Sequence, residues 1–181
     1  MKNILGIGTL LVAVFLMAGC GPTDKSQGTS TDTSATNDAT NTTDTQATSG
    51  TITAVVPEGW TKVEGSTIPV QYMKGTASFM AKTEYFKSTN LDDVVKEALA
   101  VFQESFNGVT VTGEAQSIKV DGLDARKFVF TCNVSQIPMK YMYVYAMADG
   151  GGVYSITFGD LADTFDSLSA DYESILSQIK F

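Results

Sequence analysis

Histidine is absent from all 181 residues. The commonest general base near neutral pH and the commonest metal ligand are both missing, so hydrolytic chemistry would have to come from carboxylates converging in a cleft. Tryptophan occurs once, at Trp60, and cysteine twice, at Cys20 and Cys132. Basic residues are few, 12 against 20 acids, for a formal net charge of −8. They are scattered singly apart from Arg126–Lys127, and the surface as a whole repels phosphate backbones, which argues against a nucleic-acid partner. No apolar run approaches the roughly 20 residues of a membrane-spanning helix.

The longest such run, Ile4 to Met17, has 14 residues, follows Lys2 and ends in Ala18-Gly19-Cys20. A short positive region, a greasy stretch and small residues form the layout of a secretory signal. Two rival readings are a transmembrane helix, for which the run is short, and a plain cleaved signal in which Cys20 has no role. Leu16-Met17-Ala18-Gly19-Cys20 resembles the lipobox of bacterial lipoproteins, with Met17 where leucine is commoner. The resemblance implies that residues 1–19 are removed, and that Cys20 carries a diacylglyceryl thioether and palmitate-like acyl chains. It thereby implies a lipid anchor on the outer face of a bacterial cell membrane. Burial of acyl chains is worth about 0.8 kcal/mol per CH₂, so two chains hold stably where one holds marginally.

Residues 21–50 contain no aromatic and no large aliphatic side chain. Such a segment cannot bury enough apolar surface to offset the entropy of ordering, so residues 20–50 read as the lipidated cysteine followed by a disordered linker. Thirty flexible residues average roughly 30 Å end to end and stretch to about 100 Å at most.

From Thr51 the composition changes, and residues 51–181 read as one globular domain. With four acids and two lysines lying before it, the domain keeps 16 acids and 10 bases. Short strands are expected at Thr51–Val56 and Trp60–Glu64, separated by the Pro57-Glu58-Gly59 turn, and at Ile68–Gly75 and Ala77–Phe86. Leu91, Val94, Val95, Ala98, Leu99, Phe102 and Phe106 then share one helical face, with Asn90 as the N-terminal cap and Gly108 as the stop. Four more strands follow, Val109–Ala115, Arg126–Cys132, Met139–Ala148 and Gly152–Phe158. The turns between them are short, at Asp121-Gly122, Asn133–Pro138 and Asp149–Gly151, so neighbours should pair antiparallel. A last helix aligns Phe165, Leu168, Tyr172, Ile175, Leu176 and Ile179. The expected fold is α+β, a central antiparallel sheet flanked by helices.

The passage Val-Pro-Glu-Gly-Trp-Thr-Lys-Val-Glu, the mid-domain helix, the strand–Val-Asp-Gly-Leu-Asp-Ala-Arg-Lys-Phe–strand run and the closing Ile-Leu-Ser-Gln-Ile-Lys-Phe resemble the PsbP/Mog1-type domain. The resemblance implies an α/β/α sandwich. It implies no shared catalytic set and no cofactor, and points to binding or assembly of other proteins.

Several residues invite a chemical reading. Gly150-Gly151-Gly152 lies between strands without a following helix or nearby lysine, and reads as a turn. Ser177 and Lys180 have the spacing of a serine–lysine pair but lack companion motifs. Met73, Met80, Met139, Met142 and Met147 alternate within strands and read as core filling, not as metal ligands. Asp121 and Asp124 read as turn residues, without the alternating oxygen ligands of a calcium loop. Cys132 alternates with Phe128 and Phe130, the position of an inert inward thiol. Tyr141, Tyr143 and Tyr145 share one strand face, either as core or as the wall of a groove, and Trp60 is either a lid on the core or a further platform. The expectation is a noncatalytic membrane-anchored protein whose head engages another protein. The alternative is a small-molecule or peptide-binding domain that uses the tyrosine-lined groove and Trp60.

Overall fold

The computed structural model describes residues 51–181; the expected signal segment 1–19, Cys20 and the linker to residue 50 lie outside the described residues. Three strands open the head: β1 (Thr61–Lys62), β2 (Val70–Lys74) and β3 (Ala77–Glu84). Helix α1 (Leu91–Ser105) follows, then four long strands, β4 (Asn107–Val120), β5 (Leu123–Val134), β6 (Ile137–Met147) and β7 (Val153–Leu161). A 3₁₀ turn (Phe165–Leu168) leads into α2 (Ser169–Gln178).

The strands form one sheet in the order β1-β2-β3-β7-β6-β5-β4, antiparallel at every step. Helix α1 carries the chain from β3 to the far edge, and the β4–β7 meander returns to close against β3. The architecture is α+β with the central antiparallel sheet expected from the pattern. Each face has its own core. On one lie Phe79, Val144, Ile156 and Phe158 with Tyr172, Ile175 and Leu176 of α2. On the other lie Phe128, Phe130, Cys132 and Tyr145 beneath Val94, Val95, Ala98 and Phe102 of α1. Central strand β7 is buried along eight of its nine residues, and Ser155, Thr157 and Asp160 are enclosed there beside Val153, Ile156 and Phe158.

Helix α1 begins as its sequence dictates. The Asn90 side chain accepts the Asp93 N–H at 2.9 Å, and Asp92 and Asp93 occupy the first turn, where acids suit the helix dipole. Its end differs from expectation. Phe106 is already extended (φ −121°), and Gly108 (φ +67°) sits not at a helix cap but in the register shift that opens β4. Phe106 still packs into the α1-side core from outside the helix.

Other boundaries also moved. Thr51–Val56 forms no strand beyond a single bridge between Thr53 and Lys180. β4 runs on to Val120 because Gly113 (φ +71°) accommodates a bulge between Thr112 and Gln116, and the polar stretch beyond stays paired as an exposed edge. The broad turn expected at Asn133–Pro138 contracts to Ser135 and Gln136. Ile179 lies one residue past α2, in extended conformation, yet remains fully buried.

Candidate functional site

Tyr141, Tyr143 and Tyr145 of β6 all project from one face of the sheet, and Met142, Val144 and Ala146 from the other, as the alternation required. The tyrosine face is roofed by α1. Phe102 lies over Tyr143 with ring centroids 4.7 Å apart, Phe106 over Tyr141 at 6.2 Å, and Phe86 meets Tyr145 edge-on at 5.3 Å. Phe128 and Phe130 stack beside them from β5. Desolvation disfavours the phenolates: the Tyr141 hydroxyl is pushed up to about 12, and those of Tyr143 and Tyr145 rise as well. The three rings thus form a packed layer and not an open wall. Tyr141 also lies across the bare backbone of Gly159, its Cα partner on β7, where a Cβ would stand 2.5 Å from the ring.

Trp60 sits on the opposite face, with Tyr172 edge-on at 6.3 Å, and is only 8% exposed. The candidate tyrosines and Trp60 are therefore separated by the sheet and cannot form one binding surface. The turn that carries Trp60 is pinned from two directions. Its indole N–H donates to Asp171 Oδ2 at 2.9 Å, and the Lys74 ammonium donates to the same oxygen at 2.7 Å and to the Glu58 carbonyl at 3.3 Å. Gly59 (φ +89°) brings the backbone onto the Lys74 stem; a Cβ there would meet Lys74 Cε at 3.2 Å. Pro-Glu-Gly-Trp is a docking device for α2 on β2.

The remaining candidates are similarly occupied. Cys132 is buried against Phe128 and Phe130, and desolvation pushes its thiol up to about 11. Ser177 donates to the Ser174 carbonyl, whereas Lys180 pairs with Asp121 at 2.7 Å, so the two do not meet. Asp124 pairs with Lys119 at 2.8 Å. Asp121 and Asp124 are both held below the usual carboxylate range, chiefly by hydrogen bonds from Lys180 and Lys119 respectively. Gly150 and Gly151, both at positive φ, turn β6 into β7. Met142 faces α2, while Met139 and Met147 face α1. Among the described residues no three Cys, Asp or Glu side chains converge as a metal site. A shallow cleft of about 200 Å³ opens at the β4 bulge, with Thr112, Glu114, Gln116, Lys127, Val129 and Met142 in its lining. Among the described residues no helix is long and apolar enough to cross a membrane.

No family model and no curated protein matches the sequence. Solved structures do. LpqN, involved in cell envelope biogenesis of Mycobacterium tuberculosis, superposes with a TM-score of 0.58 at 14% identity, over 71% of this chain and 82% of LpqN. Cyanobacterial PsbP (CyanoP) from Synechocystis sp. PCC 6803 superposes with a TM-score of 0.51 at 13% identity, over 72% of this chain and 86% of CyanoP. The head has a PsbP-like fold. At this identity the likeness is one of architecture. In the PsbP-like head the β5–β6 tip, expected only as a turn at Asn133–Pro138, leaves Ile137 50% exposed. The available signal was Val134, Ile137 and Pro138 gathered around a tip that contains neither Gly nor Asn.

Proposed function

We propose that this protein is a lipoprotein, lipid-anchored on the outer face of a bacterial cell membrane, whose PsbP-like head is noncatalytic and binds another protein. The observation that carries the reading is the junction at Cys20: a 14-residue apolar run stops at Ala-Gly-Cys and gives way to thirty residues without a large apolar side chain. Two acyl chains on that sulfur would moor the chain, and the linker would let the head reach tens of ångströms from the bilayer. In the head the acidic and basic groups considered for chemistry are engaged in ion pairs across its elements, and the aromatic rings fill two cores. The fold is shared with LpqN, whose described involvement in envelope biogenesis is in keeping with this address.

Replacement of Cys20 by alanine tests the anchor. Wild-type chain should fractionate with membranes, with a mature N-terminus at Cys20 that bears diacylglyceryl and acyl mass. The Cys20→Ala chain should lose that mass and leave the membrane. A mature chain that starts elsewhere with an unmodified thiol overturns the reading.

A further inference from the structure

The two ends of the sheet differ. At one end lie the Asp121-Gly122 turn, the Thr53–Lys180 bridge and the Lys180–Asp121 ion pair, so the chain enters the head there. The β5–β6 hairpin tip lies at the other, twelve residues of β5 away, or about 36 Å at a strand's usual rise. Ile137 at that tip is 50% exposed, one of three large apolar side chains so exposed among the described residues; the others are Val55 and Tyr85. Pro138 beside it is exposed and Val134 is half-buried.

The backbone of the tip is also unusual. Ser135 (φ 50°) and Gln136 (φ 72°) both adopt the left-handed region, which a two-residue hairpin turn of the primed type requires and which Asn-Gly or Asp-Gly supplies with least strain. The neighbouring β4–β5 hairpin uses that solution, Asp121 (φ 47°) with Gly122 (φ 82°). The β5–β6 tip carries the costlier pair, with two non-glycine side chains in the left-handed region where the other tip has one, and such local strain marks candidate contact sites.

The charge around the tip has one sign. Asn107 is the Cα partner of Asn133, which places Glu104, in the last turn of α1, at the same end of the sheet as the tip. The Ala162 N–H donates to the Pro138 carbonyl at 3.0 Å, which brings Asp163 to its other flank. Glu104 and Asp163 are exposed, and their carboxylates have no ion-pair or hydrogen-bond partner among the described residues. The base closest along the chain, Lys140, is committed to Asp166 at 2.7 Å.

Resting on the protein-binding reading above, we propose that the β5–β6 tip is the element with which the head grips its partner. Ile137 enters an apolar pocket on another protein, and Glu104 and Asp163 meet lysines or arginines around that pocket. An apolar anchor supplies affinity and a complementary charged rim supplies orientation and on-rate.

The test uses the full chain in its native membranes, with a photo-crosslinking residue at position 137 or, for comparison, at position 85. The adduct is identified, and its binding to purified full-length chain is then measured. An adduct from 137 but not 85 is expected, with a protein that shows a basic-rimmed apolar pocket. Ile137→Asp should weaken binding by tenfold or more with an unchanged melting temperature, and raising salt from 50 to 500 mM should weaken it several-fold. Ser135→Asn with Gln136→Gly should raise the melting temperature by about 4 °C while weakening binding. An adduct that forms only from 85, one that consists of a second copy of this chain, or binding indifferent to Ile137→Asp overturns the assignment of the tip. Absence of any adduct from a panel of positions across the head tells against the protein-binding reading itself.

Discussion

Gly159 shows how much a single hydrogen atom decides in this head. Tyr141 Cε1 and Cδ1 would lie 2.5 and 2.7 Å from a Cβ at this position, with Ser78 Oγ at 3.3 Å. Tyr141 is itself held by Phe106 and Phe130, so it cannot swing aside without opening the α1-side core. Gly159→Ala should therefore cost about 1–3 kcal/mol, visible as a fall in melting temperature. Tyr141→Ala combined with Gly159→Ala should remove most of the additional cost of the alanine. Cys132 makes the complementary point. Buried, with its thiol pushed up to about 11, it should resist alkylation in the folded Cys20→Ala chain at pH 8 and react at once in denaturant. Modification of the native chain at the rate of a free thiol would contradict the packing described.

At the scale of elements, the two helices are held differently. α1 lies on its sheet face through a continuous stripe of Leu91, Val94, Val95, Ala98 and Phe102. α2 contributes fewer apolar residues, and polar clamps supplement them. Lys74 of β2 holds Asp171, Lys127 of β5 holds Glu173, and Lys140 of β6 holds Asp166 just before the helix. Asp171 is the most enclosed of these acids, with its side chain 21% exposed. Its carboxyl is held below the usual range by hydrogen bonds from Lys74 and Trp60. A depressed folded value means that the stabilisation is complete above the unfolded carboxyl value, about 3.9, and is lost as pH falls through the lower folded one. Asp171→Asn should thus lower the melting temperature at pH 7, and the gap from wild type should narrow steadily as the pH drops below about 4. A gap that stayed constant down to pH 2 would show that the carboxylate charge is not what holds α2.

At the scale of the whole head, Asp92, Asp93, Asp121 and Asp124 are shifted in the same direction as Asp171, each through a basic partner or, for Asp93, through Lys96 with Asn90. The sign of linkage is the same for all, so stability should decline on acidification below about pH 4 and hold above it. These four are exposed pairs, and salt should reduce their share.

The sequence by itself determined the strongly periodic parts. The α1 stripe, the alternation of tyrosines with Met142, Val144 and Ala146, and the inward thiol of Cys132 follow from which residues can leave water, and helical and strand periods express that directly. It also determined the order of elements, and with it the α+β class. The tertiary structure alone decided what has no local signature. The polar Gln116–Lys119 segment is strand because β5 pairs with it. Thr51–Val56 is not strand because only Lys180 offers a partner. Trp60 and the tyrosines lie on opposite faces because Trp60 docks on Asp171 and Tyr172 of α2 while the tyrosines pack beneath α1. The hairpin tip stands clear because twelve paired residues of β5 separate it from the chain's point of entry. Such features depend on which distant segment supplies the facing hydrogen bonds and side chains, and no local period records that.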